Sequence, residues 1–140
     1  MHTYTYIISL RAKHPQVELG FLSNLFGKQP CVSWVAGDER KTPKGTSLGG
    51  IRENSYWVTR LTEEETVSES WQLEDLLEQS LLEVSVHAKE LDEFFGSGGR
   101  LEFFVSVYGS RNFGLILSPD LMSRLGAAQI ELQLDVYPEA

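Results

Sequence analysis

Apolar and polar residues alternate at the start of the chain and predict a β-strand over residues 3–10. Beyond this strand, apolar residues recur at three- and four-residue spacing as far as Gly27, which predicts a short amphipathic helix ending at this glycine. Residues 31–35 are rich in β-prone side chains and residues 55–61 alternate again, so both segments predict strands. The stretch at 41–50 is rich in Gly, Pro, Lys, Thr and Ser and predicts a mobile loop.

A helical pattern replaces the alternation in the middle of the chain. Apolar residues form one stripe over residues 71–95, with acidic residues largely off it, and predict the longest helix of the protein. The β-branched residues within 84–86 lower helix propensity and mark a point where this helix can break. The Gly-Ser-Gly-Gly sequence at 96–99 ends the helical segment.

The C-terminal third returns to alternation. Residues 101–107 and 113–117 alternate on either side of a Gly-Ser-Arg-Asn turn, which predicts a β-hairpin. Ser118 and Pro119 supply a capping side chain and a first-turn proline for a short helix. Residues 130–137 predict a last strand with one packed face and one wet face.

The predicted order is β-α-β-β-α-β-β-α-β, and no segment of it has the composition of an interdomain linker. We therefore expect one α+β domain over residues 1–140. Strands that alternate in polarity favour a mostly antiparallel sheet with helices on one face, because a parallel sheet buried on both faces would show continuous apolar runs. A ferredoxin-like arrangement is the expected topology.

Composition and charge exclude several classes of function. The chain is 41% hydrophobic and 23% charged, as in ordinary globular proteins, and no apolar run approaches the length of a membrane span. Its net charge of -8 disfavours nucleic-acid binding. The charge is uneven: residues 62–93 hold most of the acid, whereas residues 11–60 are mildly basic. Cys31 is the single cysteine, so no internal disulfide can form, and we expect a cytoplasmic protein in which Cys31 is a small buried hydrophobe.

No residue pattern predicts a cofactor, a metal site or a catalytic residue. Gly-Thr-Ser-Leu-Gly at 45–49 matches the nucleophile elbow of serine hydrolases, but it lies within the predicted loop rather than between a strand and a helix. His2, His14 and His87 are too far apart to form a paired metal motif, and solvated or capping roles are expected for them. No glycine-rich phosphate loop follows the first strand.

The order and spacing of several short motifs resemble a known bacterial family. They are Trp34-x-x-Gly37-Asp38, a basic polar loop, Tyr56-Trp57, a long acidic helix, Gly98-Gly99, and Ser118-Pro119-x-Leu121 before a terminal strand. Together they resemble the domain of unknown function 4279 family over nearly the whole chain. The resemblance implies a small single-domain α+β protein and carries over no activity, ligand or cofactor. The family's usual Trp-Lys-Gly-Asp is one residue longer here and lacks the lysine, which weakens any role for a base at this turn.

Two hypotheses of function follow. The first is a non-enzymatic protein-binding or interaction module, similar in charge to immunity proteins, that self-associates or takes a protein partner without contacting nucleic acid or membrane. Its expected contact surfaces comprise the acidic helix residues Glu74, Glu78 and Glu83 and the outer sheet residues Phe104, Tyr108 and Tyr137. The alternative is a small-ligand-binding protein or enzyme with a site near residues 34–52. Its expected ligand-binding residues are Trp34, Asp38, Arg40, Trp57 and Arg60.

Overall fold

The computed structural model describes residues 2–138 of the chain. Its elements are β1 (Thr5–His14), α1 (Phe21–Phe26), β2 (Val32–Trp34), β3 (Glu39–Lys41), β4 (Ser47–Ile51), β5 (Ser55–Arg60), β6 (Thr66–Val67), α2 (Leu73–Ser85), α3 (Ala88–Gly96), β7 (Arg100–Gly109), α4 (Pro119–Ala127) and β8 (Ile130–Pro138). The main sheet runs in the order β2-β5-β1-β7-β8, and the short β6 pairs with the start of β1. Strands β3 and β4 form a separate two-stranded sheet.

The central part of the main sheet is ferredoxin-like. Strands β7-β1-β5-β2 lie side by side with every neighbouring pair antiparallel. Helix α1 connects β1 to β2, and helices α2 and α3 connect β5 to β7, which gives the β-α-β-β-α-β order of that fold. Strand β8 adds to β7 in parallel, and α4 provides the crossover that a parallel neighbour requires. The α+β class and the mostly antiparallel sheet are confirmed.

All four helices pack on the same side of the main sheet. Alternate residues of β1 are buried, including Tyr6, Ile8 and Leu10, and they share one apolar cluster with side chains from every helix. Helix α2 supplies the largest helical share of this cluster, with Leu73, Leu76, Leu77, Leu81 and Val84. Burying a leucine side chain stabilises a fold by about 1.5–3 kcal/mol. The helical layer and one face of the sheet therefore form the core, and the other face of the sheet lies outside it.

Local signals placed several element ends correctly. The predicted long helix is broken, with α2 ending at Ser85 and α3 beginning at Ala88. Gly27 follows α1 in the left-handed conformation, with φ at 64°. Ser118 caps α4, because its hydroxyl accepts a hydrogen bond from the Leu121 amide at 3.1 Å.

The mobile loop predicted at residues 41–50 is wrong. This stretch forms most of the β3–β4 hairpin, in which Glu39 pairs with Ile51 and Lys41 with Ser47. Its tight end carries Gly45 at a φ of 89°. Gly, Thr and Ser are abundant there because the segment is a turn between two fully exposed strands, and such strands need no apolar alternation.

The hairpin predicted for residues 101–107 and 113–117 is also wrong. Strand β7 pairs with β1 on one side and with β8 on the other, so it has no free edge for a further strand. Residues 113–117 instead belong to no strand or helix. Phe113, Leu115 and Leu117 pack against the core cluster, which accounts for their alternation.

The last strand is packed over only part of its length. Ile130 is buried and Leu132 is half-buried, as expected, but Leu134 and Val136 are 41% and 56% exposed. The alternation of residues 130–137 thus predicted the strand correctly and overestimated how far its apolar side is covered. No helix within residues 2–138 has the length and apolar character needed to cross a membrane.

Candidate functional site

One face of the main sheet carries no helix among the described residues, and we call it the open face. Its side chains are half-buried or exposed and alternate with the core residues along each strand. They are Val32 and Trp34 on β2, Tyr56, Val58 and Arg60 on β5, Ile7, Ser9, Arg11 and Lys13 on β1, Glu102, Phe104, Ser106 and Tyr108 on β7, and Glu131, Gln133, Asp135 and Tyr137 on β8. The strand register therefore brings aromatic and cationic residues onto one surface.

A stack of three side chains lies at the β2 end of the open face. The rings of Trp34 and Tyr56 are stacked, with centroids 4.7 Å apart. The guanidinium carbon of Arg52 lies 3.7 Å from the centroid of the Trp34 ring, a cation–π contact. Arg52 also donates a hydrogen bond from Nη2 to the carbonyl oxygen of Lys41 at 3.2 Å, which fixes the plane of its guanidinium. Burial raises the pKa of Tyr56, while the nearby Arg11 lowers it.

A cleft of about 340 Å³ opens beside this stack. Its walls are formed by Lys13, Trp34, Arg40, Ile51, Arg52, Glu53, Asn54, Ser55 and Tyr56. Three of these side chains are cationic and one is anionic, although the whole chain has a net charge of -8. None of the three cations forms an ion pair with another residue of the part of the chain that the structure describes. The cleft can therefore offer unneutralised positive charge to an anionic group.

A turn at Asp38 holds the stack in place. The Asp38 carboxylate accepts a hydrogen bond from the Val35 amide at 3.0 Å. The Arg52 amide donates to the Asp38 carbonyl at 2.8 Å, and the Gly37 amide donates to the Arg52 carbonyl at 2.9 Å. Gly37 has a φ of 93°, a backbone conformation that favours glycine. Asp38 thus positions the backbone of Arg52 beside Trp34.

The structure unites some of the expected ligand-binding residues and separates others. Trp34 and Arg40 line the cleft, and Asp38 supports it. Trp57 is 1% exposed on the helical side, where its Nε1–H donates to Ser23 Oγ at 3.0 Å, so it cannot reach the cleft. Arg60 lies on the open face at the opposite end of β5, where it pairs with Ser9 in register.

The ligand-binding residues expected from the sequence did not include Lys13, Arg52 and Tyr56, which also line the cleft. Lys13 and Tyr56 face each other across β1 and β5 because of the antiparallel register. The predicted first strand ended at residue 10, whereas β1 continues to His14, so the sequence did not place Lys13 on a strand and only the pairing shows that Lys13 and Tyr56 meet. Arg52 lies at the end of the hairpin that composition had suggested was a loop.

The expected aromatic contact residues all lie on the open face. Tyr108 and Tyr137 are stacked with ring centroids 5.1 Å apart, and Arg11 lies 3.6 Å from the centroid of the Phe104 ring. The Tyr137 hydroxyl donates a hydrogen bond to the Asp135 carboxylate at 2.5 Å. This bond raises the pKa of the exposed Tyr137. The β7–β8 end of the open face is thus a polar-edged aromatic surface.

The acidic residues of α2 lie away from this face, in the helical layer. Glu74 accepts hydrogen bonds from the Tyr4 hydroxyl and the Ile116 amide, both at 3.4 Å. Glu78 forms an ion pair with Arg124 at 3.1 Å. Glu83 is exposed. Two of the three expected acidic contact residues thus already have partners inside the chain.

The other candidate chemistry is structural. Buried His14 accepts hydrogen bonds at Nδ1 from the amides of Gln16 and Val17 and contacts Ser97 Oγ through Nε2, which makes it a capping residue. Ser47 of the elbow-like motif begins β4, and no helix follows it. Cys31 is exposed, contrary to the prediction of burial, because only its backbone joins the sheet edge by donating to Val58. No group of metal-ligating residues occurs within residues 2–138.

Fold and surface together define an α+β protein with a ferredoxin-like sheet, one helix-covered face and one open face. A family model described as a domain of unknown function (DUF4279) matches residues 2–139, and the chain belongs to this family. Neither the search of curated proteins nor the search of solved structures found a match.

Proposed function

We propose that this protein is a non-enzymatic binding module that takes a protein partner on its open face. The observation that carries the proposal is the exposure of a sheet face rich in aromatic and arginine side chains. Trp34, Tyr56, Phe104, Tyr108 and Tyr137 all lie on it, and none is covered by a helix among residues 2–138. Tyr, Trp, Phe and Arg are the residue types enriched at the centres of protein interfaces.

The charge of the open face supports a partner with an acidic segment. Lys13, Arg40 and Arg52 surround the cleft, and Arg11 and Arg60 lie further along the same face. An acidic side chain that enters the cleft would meet unpaired cations and a stacked guanidinium of fixed orientation. Such contacts accelerate association and select the orientation of the partner.

The acidic helix is the second candidate surface, and it would suit a basic partner in the manner of an immunity protein. We assign the main contact to the open face, because Glu74 and Glu78 are engaged by groups of the same chain. A partner at α2 would have to displace Arg124 or compete with it. The exposed thiol of Cys31 supports a reducing cytoplasm as the location.

A small organic anion in the cleft is the alternative function. The cleft volume of about 340 Å³ falls at the lower end of the range for small-molecule sites, and its cations favour a phosphate or carboxylate group. Its mouth is shared with the open face, so the same residues would serve either ligand.

The experiment compares proteins captured from lysate by the wild type and by three variants. Arg40→Glu/Arg52→Glu reverses two of the three positive charges of the cleft, and Tyr108→Ala/Tyr137→Ala removes the aromatic pair. Lys28→Glu/Lys89→Glu is the matched control, because it changes the net charge equally away from the open face. Each captured partner is then purified and titrated calorimetrically at low and high salt.

We expect both open-face variants to bind the purified partner at least roughly tenfold more weakly than the wild type, a change of about 1.4 kcal/mol, whereas the control keeps its affinity. The affinity of the cleft variant for the partner should also depend less on salt concentration than that of the wild type. A partner whose affinity is unchanged by both open-face variants would refute the proposal. Stabilisation of the wild type by inorganic phosphate or citrate, without any partner sensitive to Tyr108 and Tyr137, would favour the small-ligand alternative.

A further inference from the structure

Strand β8 presents a long outer edge. The strand has nine residues and pairs with β7 without a break in register from Ile130 to Pro138. No strand within residues 2–138 pairs with its other side. On that side, the backbone N–H and C=O groups of every second residue point away from the sheet, so the edge can accept another strand.

This edge lacks the usual protection against pairing. Proteins guard long edges with bulges, prolines or free charges. Here no bulge occurs, and the only proline is the last residue of the strand. The acidic side chains of β8 already have partners, since Glu131 pairs with Arg100 at 2.6 Å and Asp135 accepts from Tyr137. On the helical side, Leu134 and Val136 are exposed apolar residues beside the edge.

We propose that a second copy of this chain pairs with the β8 edge, antiparallel and with Leu134 at the two-fold axis. A two-fold axis perpendicular to the sheet keeps each side chain on its own face. Even-numbered and odd-numbered side chains of β8 lie on opposite faces, so two residues can lie opposite one another only when both numbers are even or both are odd. We compare the three registers whose two-fold axis passes near the middle of β8, at Gln133, at Leu134 or at Asp135.

Charge selects one of these registers. Centring on Gln133 places Glu131 opposite Asp135 of the second copy, and centring on Asp135 places that carboxylate opposite itself. Like charges directly opposite destabilise a strand pair. Centring on Leu134 places Glu131 opposite Tyr137 and Asp135 opposite Gln133, so no carboxylate faces another.

The same register matches the apolar side chains. Leu134 lies opposite its own copy, and Val136 lies opposite Leu132 of the second copy. Apolar cross-strand pairs of this kind contribute about 0.2–1 kcal/mol each. The edge residues left uncovered by the helical layer thus complement one another across the axis.

Disulfide trapping tests this register directly. Both variants are made in a Cys31→Ser background so that the introduced cysteine is the only thiol. In Leu134→Cys the paired Cα atoms would lie about 4.5–5.5 Å apart, within disulfide range. In Val136→Cys the two introduced cysteines would be offset by four residues, about 13 Å along the strands, a distance that a disulfide cannot span.

We expect mild oxidation of dilute protein to convert Leu134→Cys to a covalent dimer in high yield and to leave Val136→Cys mostly monomeric. Equal trapping of both variants, or trapping of neither, would overturn the proposal. A second measurement uses light scattering without oxidation. The wild type should have twice the 15.8 kDa chain mass, and Leu134→Lys/Val136→Lys should have the mass of one chain.

The control for the lysine variant is Met122→Lys, which also charges an exposed apolar residue but on α4, away from the β8 edge. It should remain dimeric. Circular dichroism verifies that each variant is folded before its mass is compared. A wild-type monomer at all accessible concentrations, or a folded lysine variant that remains dimeric, would refute pairing through β8.

Discussion

Replacing each of two tryptophans by phenylalanine separates the core of this protein from its open face. Trp57 and Trp34 lie on neighbouring strands but on opposite faces of the sheet. Trp57 is almost fully buried and donates its indole N–H to Ser23 of α1, whereas Trp34 is half-buried beside the cleft. We therefore expect Trp57→Phe to lower stability substantially and Trp34→Phe to leave it nearly unchanged.

The magnitude follows from the contacts of each ring. Trp57→Phe loses one hydrogen bond, about 1 kcal/mol, and leaves a void next to Phe26 that costs about 1 kcal/mol more. Phenylalanine at position 34 still stacks on Tyr56, so the cost is about 0.5 kcal/mol or less. With a urea dependence of about 2 kcal/mol per molar, the unfolding midpoint should fall by about 1 M for Trp57→Phe and about 0.25 M for Trp34→Phe.

The assay is urea unfolding followed by far-ultraviolet circular dichroism, since fluorescence would change with the tryptophan content. A double-mutant cycle with Ser23→Ala isolates the hydrogen bond, and the coupling between positions 23 and 57 should be about 1 kcal/mol. Equal midpoint shifts for the two tryptophan variants, or a coupling near zero, would show that Trp57 does not anchor β5 to α1.

Two further predictions concern Tyr6 and Gly99. Burial raises the pKa of Tyr6 to about 12 from 10.0, and its hydroxyl donates to the Trp71 carbonyl at 2.6 Å. Because the tyrosine of the unfolded chain loses its proton at a lower pH, the contribution of Tyr6 to stability should be full below pH 10 and should fall as the pH rises toward 12. In urea melts at increasing pH, Tyr6→Phe should therefore lose less stability than the wild type, and an equal loss would contradict this cause. Gly99→Ala should destabilise by about 1–3 kcal/mol, because its Cβ would lie 2.5 Å from the Phe94 carbonyl oxygen. Gly96→Ala is the control: the added Cβ meets open space at the end of α3, so thermal melts should show no loss of stability or a slight gain.

Local sequence patterns were sufficient where an element depends mainly on its own residues. The alternation of β1, the glycine that ends α1 and the Ser118–Pro119 start of α4 all predicted elements that the structure contains. The ferredoxin-like order was also accessible, because alternating strands and intervening helices leave few antiparallel arrangements. These signals depend on neighbours in sequence and need no knowledge of distant contacts.

Tertiary pairing decided the two elements that were wrongly predicted. Residues 113–117 alternate like a strand, but β1 and β8 already occupy both edges of β7. Residues 41–50 have the composition of a loop, yet their backbone pairs as a hairpin with almost no buried side chain. Alternation reports which side chains are buried, and composition reports where turns occur, but neither shows which strand edges are free.

The same limit applied to the cleft. Trp34, Asp38 and Arg40 are close in sequence and were identified together, whereas Lys13 and Tyr56 approach one another only through the β1–β5 register. Trp57 was predicted as an aromatic ligand-binding residue, although it directly follows Tyr56 in the sequence. A strand places adjacent side chains on opposite faces, so one of the two had to lie in the core.

The proposed partner surface and the proposed dimer can coexist, because the partner would lie on the open face whereas the second copy would pair with the backbone edge of β8. The cleft lies at the β2 end and the two-fold axis at the β8 end, four strand spacings away. With strands about 4.8 Å apart, the two clefts of a dimer would lie about 40 Å from each other across a continuous sheet. A partner with two acidic segments could then bind both clefts. Binding of the first segment would raise the effective concentration of the second segment at the other cleft without changing the affinity of either cleft. Loss of the dimer would therefore weaken such a bivalent partner while leaving the affinity of a single acidic segment intact.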